Sequence, residues 1–209
     1  EGNDSVLALF FGTGLPPEQF AGICGAHAFY TPDTAGLSSL PDWRDAAKEG
    51  DAALDDWVRR FLARTTYELS IPALRDPTLA PEGQTGLIVS TLFDYRLAKR
   101  YALAGRYDAF KSLCSEQILD VLERSVFPGL RDHVEFSFCA TPLTIERETG
   151  NRSGAITGWA FDNDPMPSVS RFQKIRRAVD TPFPHIYQCG HWTFSPAGLP
   201  VAIMTGKLA

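Results

Sequence analysis

Four cysteines in 209 residues, no two of them close together, remove two classes of protein at once. Cys24, Cys114, Cys139 and Cys189 form no C-x-x-C pair. Neither a zinc cluster nor a dithiol redox motif is legible, and a reduced compartment is the simplest setting. The four histidines (His27, His133, His185 and His191) never fall at the i, i+4 spacing that aims two imidazoles at one metal, so no metal is expected. Basic residues are short too. Twenty Lys and Arg against 25 Asp and Glu leave a net charge of −5, with no stripe to track phosphates, which argues against nucleic acid as a partner. No apolar run is long enough to span a bilayer, and the first residues do not read as a charged-then-apolar leader, so the expected location is the cytoplasm. No Ser/His/Asp or Cys/His arrangement is readable either, which leaves catalytic residues unassigned.

With 44% hydrophobic residues the chain suits one compact domain or a small two-layer piece. It opens with an apolar run, Val6 to Phe11, followed by Gly12-Thr13-Gly14. A dinucleotide-binding turn needs a third small residue so that helix and strand can pack closely, and Pro17 stands there instead. The stretch therefore reads as a strand ending in a Gly/Pro loop, with a short helix from Pro17.

Further along, the apolar and aromatic density of 26–32, 67–74 and 86–95 predicts strands. Leu54, Trp57, Val58, Phe61 and Leu62 recur at helical spacing, with acids early and arginines late. The longest helix is predicted from Tyr107 to Val126, with Phe110, Leu113, Cys114, Ile118, Val121, Leu122 and Val126 on one face. Residues 133–150 read as a strand, a loop and a short helix from Thr144. The run 159–176 reads as a loop and 185–190 as a short strand. Strands separated by long helices, without strict alternation, indicate an α+β fold: a mixed or antiparallel sheet flanked by helices. One sheet face should be covered by the 107–126 helix, and the other should line a cavity.

The C-terminal stretch has a physical logic of its own. A loop carrying Trp192 follows Gly190, and a helix opens at Gly198-Leu199-Pro200. Pro200 suits the first turn, and Gly198 has no side chain to obstruct a ligand approaching the helix amides. Such a terminus suits an anion, although an ordinary strand–loop–helix with turn glycines satisfies the same spacing. The chain stops within this helix, which reads as a piece of a larger protein. Weaker signals have plainer readings. Asp162 and Asp164 suit a solvated turn, lacking the glycine and distal glutamate of a calcium loop. The cluster RFQKIRR suits a solvated face or a contact with a membrane surface.

Taken in fixed order, Thr141-Pro142 with Thr144 and Arg147, Gly154-Ala155 with Gly158, Gln173, Gly190, and Gly198-Leu199-Pro200 resemble the C-terminal part of one family: the FAD-dependent oxidoreductases of the phytoene desaturase and carotenoid isomerase type, akin in fold to the amine oxidases. The resemblance covers about 70 residues. It implies a substrate-binding domain over 1–150 and a segment over 151–209 that completes an FAD site. The N-terminal dinucleotide-binding part of that family has no counterpart here. By the same resemblance Gly190, Trp192, Gly198, Leu199 and Pro200 lie by the flavin, and Gly154, Ala155 and Gly158 border the substrate pocket. Arg147 reads more simply as structural. The implied substrate is an apolar small molecule, a polyene such as a carotenoid or retinoid, altered at a C–C or C=C bond and drawn through peripheral membrane contact. The other expectation is a stand-alone binding or interaction module without a working flavin site. The parent is an enzyme on the first reading, and the oligomeric state is open on both.

Overall fold

The computed structural model describes residues 4–158, 177–193 and 198–209. The loop expected over 159–176, with Asp162, Asp164 and Gln173, lies outside the described residues, as does all of the basic cluster except Arg177. Contacts divide the chain into two compact units. One comprises Leu7–Leu92 and Arg96–Thr141; the other comprises Glu1–Val6, Phe93–Tyr95 and Pro142–Ala209.

The first unit is built on a five-stranded sheet. Its strands are β1 (Ser5–Thr13), β2 (His27–Tyr30), β3 (Tyr67–Ser70), β4 (Thr85–Phe93) and β5 (Val134–Ala140), in the spatial order β2-β3-β4-β1-β5. β2 with β3, β3 with β4, and β1 with β5 are antiparallel. The end of β1 meets the start of β4, where the Thr13 hydroxyl donates to the Thr85 carbonyl (3.0 Å). The fold is thus α+β, with an antiparallel sheet flanked by helices.

Side chains alternate across a strand, and this sheet sorts them by chemistry. Leu7, Leu9 and Phe11 of β1, Tyr67 and Leu69 of β3, and Leu87 and Val89 of β4 are buried on one face. Two helices add much of the buried apolar surface: α3 (Asp51–Leu62), with Leu54, Trp57, Val58 and Leu62, and α5 (Tyr107–Arg124), with Phe110, Cys114, Ile118 and Leu122. The expected long helix is therefore present. It ends at Arg124 rather than Val126, and the Phe127 amide closes back on the Leu122 carbonyl (2.9 Å).

Several expectations need correction. Residues 43–62 form two helices, α2 (Trp43–Glu49) and α3, because Gly50 between them has a φ of 123°, which breaks the helical ladder. The strand expected over 67–74 stops at Ser70. Pro72 lacks an N–H to continue the ladder and instead opens a single 3-10 turn, Pro72–Leu74. A helix that sequence reasoning missed, α4 (Tyr95–Leu103), follows β4 directly. The short helix expected from Pro17 is present as α1 (Glu18–Cys24), and the one expected from Thr144 begins two residues earlier, as α6 (Pro142–Thr149). No strand forms at 185–190. His185 has a φ of 62°, which turns the chain, and one isolated bridge from Tyr187 to Asp180 is what the region makes. The terminal helix, α7, runs Leu199–Leu208.

Candidate functional site

The sheet face away from α3 and α5 is the chemically unusual surface of the first unit. Its register places Phe10 opposite Phe138 and Gly12 opposite Phe136. Phe10 and Phe138 stack with ring centroids 4.4 Å apart and planes 10° from parallel. Phe136 and Phe138 remain 61% and 54% exposed. Large aromatics left in water on a sheet face indicate a surface made to be covered. Phe136 lies over Gly12, where an added Cβ would land on the ring. Gly86 on β4 has open space above it, with no atom within 4 Å of an added Cβ.

These residues floor a cleft of about 540 Å³. Phe10, Gly12, Gly86, Ile88, Phe136 and Phe138 form the base, and Leu79 to Pro81 wall one side. Asp76 builds that wall: its carboxylate accepts from the Thr78 amide (3.0 Å) and hydroxyl (2.6 Å), starting the 3-10 turn Pro77–Leu79. Glu135 is the one ionisable residue in the lining, and it accepts from Gln84 Nε2 (3.1 Å). Such a cleft holds an apolar body by burial and offers it neither an acid nor a base on the floor. The cavity expected on the second sheet face is therefore present. Gly154, Ala155 and Gly158 are not part of its lining.

The Gly12–Gly14 turn is no phosphate cradle. The Gly14 amide donates to the His133 carbonyl (3.0 Å), and Pro17 at the start of α1 has no N–H to offer.

The second unit gathers the residues singled out near the C-terminus. Gly154, with φ of 62°, packs so closely on the Pro142 carbonyl and Ser5 Oγ that a side chain would strike both; its own carbonyl accepts from that hydroxyl (2.6 Å). Glu146 holds the same turn, accepting from the Ser153 amide (2.8 Å) and the Tyr95 hydroxyl (2.5 Å). That carboxylate, with some burial, pushes the Tyr95 pKa up to about 12. Ala155 is buried, and its carbonyl accepts from Asn151 Nδ2 (3.1 Å). Gly158 fits against the backbone of His191 and Trp192, on the His191 carbonyl. Trp192 Nε1 donates to Asn151 Oδ1 (3.3 Å), and the Gly190 amide donates to the buried Thr205 hydroxyl of α7 (3.0 Å). Two segments about 35 residues apart in sequence, 151–158 and 190–193, thus meet through glycine contacts and one asparagine. Gly198 is the residue before α7 with φ of 143°; no side chain caps the helix, and Leu199 and Pro200 are exposed at its start. Arg147 is exposed and pairs with its neighbour Glu148 (2.8 Å), which fits a structural role.

Among the described residues no group of three or more His, Cys, Asp or Glu is placed to hold a metal ion. No helix among them is long and apolar enough to cross a membrane.

No protein-family model matches the chain. It is, however, similar to curated carotenoid enzymes. It is 35% identical to a chloroplastic prolycopene isomerase of an Oncidium hybrid cultivar over 114 residues, 54% of this chain and 18% of that protein. To the 4,4'-diaponeurosporene oxygenase of Staphylococcus haemolyticus it is 36% identical over 132 residues, 63% and 24% of the two chains. A 4,4'-diapophytoene desaturase of Staphylococcus aureus shares 25% identity over 158 residues, 71% of this chain and 29% of that protein. The matches thus span less than a third of those relatives' lengths. The chain is a distant relative of the carotenoid desaturases and isomerases.

Proposed function

We propose that this chain is the substrate-binding part of an FAD-dependent oxidoreductase acting on C–C or C=C bonds of a lipophilic polyene, and that the sheet-face cleft takes the polyene. Residues 1–150 would form the substrate domain, and 151–209 would complete the flavin site. The carrying observation is the cleft: about 540 Å³, aromatic-floored, and within the size range of small-molecule sites. A stacked Phe10–Phe138 pair presents a flat surface to a conjugated chain. The carotenoid substrates in the relatives' names fit such a floor.

The fit to FAD is partial. Gly198 starts α7 without a capping side chain, and the first-turn amides of Leu199 and Val201 have no partner within the helix. Together with Gly190 and Trp192 they would face the anionic edge of a reduced flavin or its ribityl-phosphate chain. Among the described residues nothing resembles a pyrophosphate cradle, so the adenine half would be gripped by other parts of the protein. When bound, FAD supplies the hydride chemistry. This chain's residues would bury the substrate, orient it and exclude water.

The test is binding of a linear C30 polyene hydrocarbon, followed by the shift of its visible absorption on transfer from detergent to protein. Gly86→Leu adds bulk to the floor at a position where a Cβ has no atom within 4 Å. It should weaken binding at least tenfold while leaving the thermal midpoint within a few degrees. Unchanged binding would remove the cleft as the polyene site. Saturable polyene binding by a natural full-length protein that purifies without flavin would favour the stand-alone binding module.

A further inference from the structure

The cleft is apolar except at one corner, and an irregularity in the sheet builds that corner. Gly12 lies opposite Phe136, yet Thr13 lies opposite Val134, so Glu135 is an extra residue with no counterpart on β1. Pairing resumes beyond it, where the Gly14 amide donates to the His133 carbonyl (3.0 Å). Alternation from Phe138 and Phe136 would send Ser137 and Glu135 to the buried face of the sheet. A bulge re-aims the side chain it carries, and Glu135 lines the cleft together with Phe136 and Phe138. Gly14 leaves room for it: Glu135 Oε1 stands 3.0 Å from where a Cβ on residue 14 would lie.

The polar side chains in the lining are Thr13, Gln84, Thr85 and Glu135. Two of them are turned to the backbone: the Thr13 hydroxyl donates to the Thr85 carbonyl (3.0 Å), and the Thr85 hydroxyl donates to the Leu15 carbonyl (2.7 Å). The other two meet each other. Gln84 closes the turn that ends the cleft wall, its amide donating to the Pro81 carbonyl (3.1 Å), and its Nε2 donates to Glu135 Oε2 (3.1 Å). That bond uses one N–H of the amide and one oxygen of the carboxylate. Among the described residues, the second N–H and Oε1 have no partner.

Glu135 is exposed and Gln84 half-buried, so water serves both until a ligand covers the corner. A hydrocarbon laid across it would strip water from a carboxylate and give nothing in return. A ligand carboxylate would meet a like charge. A hydroxyl, in contrast, can donate to Oε1 and accept from the amide at once. We infer that the Glu135–Gln84 corner reads a hydroxyl at the end of the polyene, and that the cleft thereby selects alcohol-ended polyenes over the matching hydrocarbons. This selectivity presupposes the cleft as the polyene site.

The experiment compares three linear C30 polyenes on the natural full-length protein, followed by visible absorption: the hydrocarbon, the alcohol with one terminal hydroxyl, and the acid with one terminal carboxylate. The alcohol should bind about tenfold or more tighter than the hydrocarbon, as a hydrogen bond to a charged group provides. The acid should bind more weakly than the alcohol. Glu135→Leu should remove the alcohol's advantage and leave hydrocarbon binding no weaker. Glu135→Gln, which keeps an oxygen acceptor at the same place, should retain part of that advantage, and Gln84→Leu should reduce it. A pair that serves only to clasp the cleft wall to β5 would act on all ligands alike. Parallel loss of hydrocarbon and alcohol binding in Glu135→Leu and Gln84→Leu would therefore overturn the selectivity, as would acid binding as tight as the alcohol's. Equal binding of hydrocarbon and alcohol by the unaltered protein would overturn it too, while leaving the cleft in place. Binding of neither would remove the cleft as the polyene site, and the selectivity with it.

Discussion

A methyl group added at Gly154 and one added at Gly86 meet opposite surroundings. At Gly154 the backbone has a φ of 62°, and the new Cβ would strike the Pro142 carbonyl and Ser5 Oγ. Strain and overpacking then act together, and Gly154→Ala should cost more than about 2 kcal/mol. At Gly86 the φ is ordinary and the space is open, so Gly86→Ala should stabilise by about 0.5 kcal/mol, through reduced freedom of the unfolded chain. Urea midpoints with unchanged m-values would check both; equal midpoints would contradict the close packing of the 151–158 turn. The resemblance singled out Gly154 as a border of the substrate pocket, and its packing on Pro142 and Ser5 became visible only in the structure. The open space at Gly86 was not legible either: a glycine in a strand looks the same whether the space above it is filled or empty.

Among the elements, the start of α7 carries the flavin half of the proposal. Gly198 and Gly105 form a matched pair, both with positive φ (143° and 68°) and neither with a crowded Cβ position. Valine at either should strain the backbone by about 1–3 kcal/mol. Only at Gly198 would the side chain also intrude on a flavin. In the natural full-length protein Gly198→Val should reduce flavin retention roughly ten- to a hundredfold, and Gly105→Val should leave it alone. Full flavin content in purified Gly198→Val would remove α7 from the site. Legibility varied among the elements for physical reasons. α5 announced itself because 18 residues repeat one apolar face. α4 did not, since its nine residues follow β4 with only Asp94 between, and the apolar run of the strand continues into its first residue, Tyr95. The strand expected at 185–190 failed because an apolar run makes a strand only when it has a partner, and His185 turns the chain away from one.

For the molecule as a whole, two buried tyrosines set an alkaline limit. Tyr67 donates to the Leu62 carbonyl, and burial raises its pKa well above the ordinary value. Tyr101 donates to Asp55 Oδ1 (2.7 Å) and is raised by burial first and by that carboxylate second. Both hold their protons more tightly folded than unfolded. The stability they confer is complete below about pH 10, the unfolded value, and declines as pH rises above it. Denaturant midpoints measured from pH 8 to 11 should therefore fall, and Tyr67→Phe should flatten the fall. The same variant should cost about 1 kcal/mol at pH 8, from the hydrogen bond lost at Leu62. A wild-type midpoint that holds steady to pH 11 would contradict the burial of these hydroxyls.

By itself the sequence determined the α+β class, the apolar strands and the long helix, because hydrophobic period is local and survives without knowledge of partners. It also carried the family resemblance, read from residue types at fixed order from Thr141 to Pro200. Only the tertiary structure decided which strands are neighbours, and therefore that Phe10, Phe136 and Phe138 share one open face. Val134–Ala140 lies some 120 residues from β1, and nothing in either stretch encodes their register. For α4, too, only packing decided that Leu97, Ala98 and Tyr101 lie inside and that Arg96, Lys99 and Arg100 are exposed.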